Sequence, residues 1–217
     1  MDFFPVWLSI RVATLATLLT MIAAVPLAWL LARRQFAGRD LVSAALLSPL
    51  VLPPTVLGYY LLMLIGSRGS VGRALASWNI ELAFTWRAAV LAAALGSCPL
   101  LIKTAQAGFE SVDRRLEQAA ATLGHSELSI FWTISVPLAW RAILAGTVLA
   151  FCRGFGDFGI TLMVAGDIPG VTQTMPMAIY DYVQMNDLHA ANVLSLVSVA
   201  FVMALIVALG RFARLRY

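Results

Sequence analysis

The chain has 217 residues, 61% of them hydrophobic and 12% charged, and a mean hydropathy of +0.87, more apolar surface than one soluble core of ordinary composition can hide. The formal charge of +4 comes from basic residues scattered between apolar runs, with no contiguous basic face and interleaved aromatics, which argues against a nucleic-acid partner. Lipid is the remaining solvent: a hydrocarbon slab of about 30 Å takes roughly 20 apolar residues per helix, so the chain has room for about five or six spans and for no sizeable soluble domain.

The first apolar run, 12–32, lacks the basic leader of a secretory signal, exceeds the apolar stretch of one, and ends in Arg33 and Arg34; it is expected as a retained span. The second, 41–66, contains Pro49, Pro53 and Pro54 and predicts a kinked or broken helix. The third, 82–105, has an uncharged centre with Arg87 and Lys103 placed to snorkel at its ends. Residues 106–137 keep a helical composition but hold Glu110, Asp113, Arg114, Arg115, Glu117 and Glu127, and are expected as a solvent-facing loop. A fourth span, 138–166, carries Arg153 and Asp157, and a polar connection leads to a fifth, 190–210, and a basic tail, 211–217. The fold class expected is an all-α integral membrane protein of about five transmembrane helices, with a helix pair between the third and fourth.

Short cytoplasmic loops carry the excess of Lys and Arg. With the N-terminus outside, Arg33, Arg34, Arg39, Lys103, Arg114, Arg115, Arg141, Arg211, Arg214 and Arg216 fall on one side and Arg68, Arg73 and Arg87 on the other. This predicts a multi-pass protein of the cytoplasmic membrane, with the 106–137 loop and the C-terminus in the cytoplasm. Cys98 and Cys152 stand alone in apolar runs, and His125 and His189 have no ligand partner at helical spacing, so no metal site is expected. Nor do the spans hold a Ser/His/Asp set or paired carboxylates of a membrane-embedded enzyme.

From Asp113 to Pro137 the loop reads DRRLEQAAATLGHSELSIFWTISVP, which predicts two short helices and a turn. Ser111 is placed to cap the first, with Asp113 near its positive end; Gly124 suits a left-handed stop; Ser126 with Glu127 begins the second. Ala119, Ala120 and Ala121 form a surface that another backbone can approach closely. The stretch resembles the EAA loop of type I ABC importer permeases: EAA, three residues, Gly, nine residues, Ile, any residue, Leu-Pro. Gln118, Ala119 and Ala120 stand at the EAA positions, Gly124 at the glycine, and Ile134, Val136 and Pro137 at the end. Two departures occur, Val136 for Leu and Gln118 for the acid, with Glu117 just before it; which of Glu117 and Gln118 makes the family's polar contact with the ATPase is open. The resemblance implies a coupling helix seated in an ATP-hydrolysing partner. This chain has no Gly-x-x-x-x-Gly-Lys-Ser/Thr phosphate loop and one lysine, Lys103, so ATP and Mg are expected on the partner and no cofactor on this chain.

Further stretches, Leu52 to Gly58, Phe84-Thr85-Trp86, Gly156-Asp157-Phe158-Gly159 and Val164 to Tyr180, resemble those of molybdate permeases, over roughly residues 8–210. Asp157 stands where those permeases commonly have Glu. The resemblance implies molybdate import by a homodimer with two ATP-binding cassette subunits inside and an oxyanion-binding protein outside. Tungstate, sulfate or another solute on the same machinery is the alternative; a passive channel is the distant one, against which the coupling loop argues. Arg153 and Asp157, spaced i to i+4, share one helical face and can pair; they either line the path near its gate or only fix packing. Pro53, Pro54 and Thr55 either offer freed backbone groups to a water-filled path or form a packing kink.

Overall fold

The computed structural model describes the backbone of residues 3–214 and side chains as far as Arg211. Helix α1 (Phe4–Arg33) opens on Pro5 in its first turn, where a missing N–H is no loss, and runs on past Pro26. Two of its hydroxyls are satisfied by its own backbone, Thr14 Oγ1 donating to Ile10 O and Thr17 Oγ1 to Ala13 O, both at 2.7 Å, while Thr20 Oγ1 donates across to Ala94 O of the helix Trp86–Ser111 at 3.4 Å; these three enter the apolar slab without an orphan donor. Next come α2 (Arg39–Val51), α3 (Pro54–Ile65) and α4 (Ser70–Ala76). Between α2 and α3 both Leu52 and Pro53 are extended, because a residue preceding proline is pushed out of the helical region; the helix axis bends there by 113°.

Helix α5 (Trp86–Ser111) is followed by the short α6 (Arg114–Thr122) and α7 (Glu127–Ile130), and α7 passes through a π-turn at Phe131–Ser135 into α8 (Val136–Phe155). Pro137 explains the π-turn. It has no N–H to offer the turn before it, and the register lengthens so that Val136 N–H bonds Phe131 O, five residues back. After α9 (Gly159–Ala165) and α10 (Met175–Gln184), α11 (Leu188–Arg214) closes the described chain.

Among the described residues, four helical stretches are long and apolar enough to cross a membrane: Phe4–Arg33, Trp86–Ser111, Glu127–Phe155 and Leu188–Arg211; counted as one span, the bent α2–α3–α4 pair makes five. Two contacts show that α1 and α5 run the same way. The Arg11 guanidinium lies 4.0 Å over the Trp86 ring at one end, and Arg33 donates to Val112 O at 3.2 Å at the other, the loop end. The chain must therefore return once between them, and the bent pair makes that return.

Helix α5 lies between α1 and α8, with Ala88, Ala89, Ala92, Ala93, Leu101, Ile102, Ala105 and Phe109 buried. Lipid is as apolar as a leucine side chain, so helices in it associate by close packing of small residues. At Gly108 a Cβ would fall 2.3 Å from the Ala142 Cβ of α8, and at Gly146 a Cβ would fall 2.9 Å from Leu101 Cδ1. Much of the outer surface, by contrast, is large and apolar, with Ile22, Leu41, Val51, Tyr60 and Leu196 all exposed; α11 is almost wholly uncovered.

Several expected boundaries move. The first span begins at Phe4 rather than 12, and the helix of the third runs to Ser111 rather than 105; Gly108 and Phe109 are buried against α1 and α8, so packing outweighs the polarity that suggested a loop. The 106–137 loop shrinks accordingly, since α7 also continues without a gap into α8. The span expected over 138–166 is interrupted at Gly156–Phe158. The fifth runs from Leu188 through Arg214, so the start of the expected 211–217 tail is helical; residues 215–217 lie outside the described residues. Ser111 does not cap α6, because its hydroxyl donates back to Gly108 O at 2.7 Å; Asp113 caps it, accepting from Arg115 N at 2.9 Å.

Replacing Gly108 with valine is expected to lower stability by about 1–3 kcal/mol through overpacking against Ala142. Thermal unfolding of the detergent-solubilised protein measures it, and an unchanged midpoint would remove the close α5–α8 approach as a determinant of the fold.

Candidate coupling surface and pathway residues

At the loop end the last carbonyls of α1 have no partner within the helix, and basic side chains from other segments supply one. Arg39 donates to Leu31 O through Nε at 3.0 Å and a terminal nitrogen at 2.8 Å, and Arg114, the first residue of α6, donates to Ala32 O at 3.0 Å. Cationic groups here also suit the negative end of the helix dipole. The loop helices are thereby pinned beneath α1.

Helix α6 divides its residues between the protein and the surroundings. Glu117 faces inward: its carboxylate takes the Arg33 Nε at 2.8 Å and the Ser135 hydroxyl at 2.6 Å. Gln118 and Ala119 are exposed while Ala120 is buried, so the three alanines do not present one common surface. Gly124 takes φ +87°, which lets the chain turn sharply after α6. Ser126 caps α7, accepting from Ser129 N at 3.3 Å. Ile134 is half-buried in the π-turn and Pro137 is exposed just after it. Leu116, Leu123 and Leu128 are exposed on this short helical pair, an apolar patch suited to a protein partner. Between α1 and the pair lies a cleft of about 230 Å³ lined by Trp29, Arg33, Arg114, Glu117, Gln118 and Glu127. Arg34 pairs with Glu127 at its rim, both well exposed.

The second group of expected residues lies at membrane depth, where two helix breaks meet. Pro54, at the α2–α3 break, sits on Gly159, at the α8–α9 break: a Cβ on Gly159 would fall 2.7 Å from the Pro54 Cβ. Pro53, Pro54 and Thr55 are exposed in the single chain. A Cβ on Gly96 of α5 would lie 3.6 Å from Asp157 Oδ1 and 3.7 Å from a terminal nitrogen of Arg153. Gly96 is ten residues into α5, about 15 Å along its axis, so the charges sit in the middle of the span.

Asp157 is 3% exposed, and both its oxygens are engaged. Oδ1 accepts from Arg153 at 3.1 Å; Oδ2 accepts from the Thr161 backbone N–H at 3.0 Å and its hydroxyl at 2.7 Å. The carboxylate thus fastens the start of α9 to the end of α8, and no oxygen is left to face a solute. Arg153 differs: a third of its side chain is exposed, and among the described residues its remaining donors have no acceptor. Thr161 and Gly96 were not singled out from the sequence. The Asp157-to-Thr161 spacing of four was the available signal for the first; the second depends on a contact between distant helices.

Beyond α9 a tight loop leads to α10. Thr172 Oγ1 donates to Gly166 O and accepts from Ile168 N, both at 3.1 Å, while Gln173 donates to Asp181 at 2.7 Å. Burial, and then the neighbouring Asp181 carboxylate, push the Asp167 carboxyl above the usual carboxylate range.

Asp157→Ala is expected to cost about 2–3 kcal/mol, less than a fully buried pair because Arg153 stays partly solvated. Asp157→Asn, whose amide oxygen still accepts from Thr161, should cost less. Thermal unfolding of the two variants checks the order; equal midpoints for wild type and Asp157→Ala would sink the fastening of α9 to α8 by this carboxylate.

A family model described as "binding-protein-dependent transport system inner membrane component" matches residues 24–215. Molybdenum transport system permease protein ModB of Escherichia coli (strain K12) is 46% identical over 185 residues, 83% of this chain and 81% of that protein. ModB of Haemophilus influenzae is 41% identical over 85% of this chain and 81% of its own length. The putative molybdenum transport system permease protein YvgM of Bacillus subtilis (strain 168) is 40% identical over 93% and 90%. Among solved structures, the inward-facing MetNI methionine ABC transporter superposes with TM-score 0.72 at 14% identity, covering 97% of this chain and 93% of that one. A bacterial ABC transporter for the acidic polysaccharide alginate gives 0.78 at 14% identity, covering 99% and 79%. At such identity the superpositions show the fold alone. The matched family model and relatives of 40% identity or more along most of both sequences show that this chain belongs to the binding-protein-dependent transport system inner membrane components, as a multi-pass helical membrane protein.

Proposed function

We propose that this chain is the permease subunit of an ATP-driven ABC importer that carries molybdate across the cytoplasmic membrane. Two copies enclose the path, two ATP-binding cassette subunits dock on the α6–α7 pairs from the cytoplasm, and an oxyanion-binding protein delivers cargo from outside. The observation that carries this reading is the helical pair between α5 and α8, with Gln118, Ala119, Leu123 and Leu128 exposed, on a chain without a phosphate loop of its own. ATP and Mg belong to the partner. Molybdate as the cargo rests on the names of the relatives; the two solved neighbours have titles naming methionine and alginate, so the fold itself does not select a solute.

The pathway roles follow from the paired breaks. Arg153 is the member of the charged pair that meets a passing oxyanion, because it retains free donors and exposure, and Asp157 holds it in place. A guanidinium half-neutralised by a carboxylate attracts a dianion without trapping it, which suits a path better than a storage site. The α2–α3 break at Pro53, Pro54 and Thr55 and the α8–α9 break form the neighbouring wall, where helical hydrogen bonds are already interrupted and motion is least opposed.

In a strain lacking its own high-affinity system, this chain expressed with its ATPase and binding protein is expected to restore molybdate uptake, with excess tungstate competing and excess sulfate not. Uptake displaced only by sulfate would reassign the cargo; no ATP-dependent uptake would overturn the importer reading.

Orientation has its own test. In a Cys98→Ala, Cys152→Ala background, a membrane-impermeant thiol reagent applied from outside is expected to label Val171→Cys and to leave Leu123→Cys untouched until the membrane is opened. Reversed labelling would invert the topology.

A further inference from the structure

Among the described residues, three ion pairs bridge distant segments at the loop end, and one of these three is sheltered. Arg34–Glu127 is exposed on both sides, and Arg39–Glu110 stands at 3.9 Å; exposed pairs contribute little. In Arg33–Glu117 the side chains are 7% and 14% exposed. Arg33 Nε reaches both carboxylate oxygens, at 2.8 and 3.0 Å, and a terminal nitrogen of Arg33 donates to Val112 O at 3.2 Å. The Ser135 hydroxyl donates to Glu117 Oε1 at 2.6 Å and in turn accepts from Trp29 Nε1 at 3.3 Å. The Trp29 ring meets Phe131 edge-on at 5.4 Å. One carboxylate therefore ties together α1, the α5–α6 link, α6 and the π-turn.

The covalent routes out of α6 are softer. On one side lie Val112 and Asp113, both extended; on the other lie the turn at Gly124 and then the π-turn, whose register is interrupted. We propose that Glu117 is a positioning residue that bypasses both links, passing a displacement of α6 directly into α1 through Arg33. Helix α1 carries it inward: Ala13 Cα lies 3.9 Å from where a Cβ on Gly154 would stand, and Gly154 is next to Arg153 and within one turn of Asp157 and the α8–α9 break. This assigns Gln118, not Glu117, to the outward docking face, and it rests on the reading that α6–α7 seats in an ATPase partner.

The test uses the reconstituted complex of this chain with its ATPase and binding protein. Spin labels at Leu30→Cys on α1 and Thr122→Cys on α6, in the Cys98→Ala, Cys152→Ala background, are expected to keep one distance with and without ATP–vanadate. In Glu117→Gln the distance should shift or split on trapping, uptake should fall about tenfold, within the range typical of coupling between sites, and recovery of the ATPase with the chain should be unchanged. Arg33→Glu combined with Glu117→Arg should recover most of the uptake lost in either single change. Unaltered uptake and an unaltered distance in Glu117→Gln would overturn the inference, as would loss of the ATPase from that variant, which would place Glu117 on the docking face. If Glu117→Gln does not insert, Ser135→Ala, which removes a donor without unpairing a charge, carries the same distance measurement. Failure of the unsubstituted chain to recover the ATPase would instead overturn the docking reading.

Discussion

Helices in a bilayer gain nothing by hiding apolar side chains from lipid, so the approach of α5 to α1 and α8 has to come from small residues and close contact. Ala88, Ala89, Ala92 and Ala93 with Gly96 and Gly108 give α5 a surface on which two other helices can rest. That contact is close on both sides, and α1 also meets α8 directly where Ala13 faces Gly154, so the three helices fix one another's positions. Two polar meetings depend on this: Arg33 finds Glu117, and Arg153 lies beside Gly96, because three helices pack closely together.

Around that axis the chain alternates rigid and interrupted stretches. The breaks at Leu52–Pro53 and Gly156–Phe158 come together at Pro54 and Gly159, so two weak points in the hydrogen-bond ladder share one site at mid-span. The π-turn before Pro137 is a third. On the importer reading proposed above, interruptions are expected where segments move and sheltered charge pairs where motion is passed on. The division between Asp157, fully bonded and buried, and Arg153, partly exposed, follows the same logic within one pair.

Much of this was legible in one dimension. Hydropathy identified lipid as the solvent and pointed to about five crossings, where the helices give four, or five with the bent pair, because span length is fixed by the slab and not by neighbours. The proline cluster announced the α2–α3 break, and the i to i+4 spacing of Arg153 and Asp157 announced their pairing. The long spaced pattern from Gln118 to Pro137 marked the helical pair. Boundaries were misplaced where local polarity and burial disagree: Gln106 to Ser111 read as loop, yet Phe109 is wholly buried and holds that turn in α5.

What the amino-acid order determined alone was therefore the solvent, the crossings and the short-range pairs, since each depends on residues within a few turns of one another. Only the tertiary structure decided which acid of the loop faces inward, because Glu117 and Arg33 are 84 positions apart and several arginines were equally plausible partners by charge. It also decided that the two breaks coincide, since Pro54 meets Gly159 only after α3 has folded along α9. A charge or a proline states its own need for a partner; the path of the intervening helices selects which partner arrives.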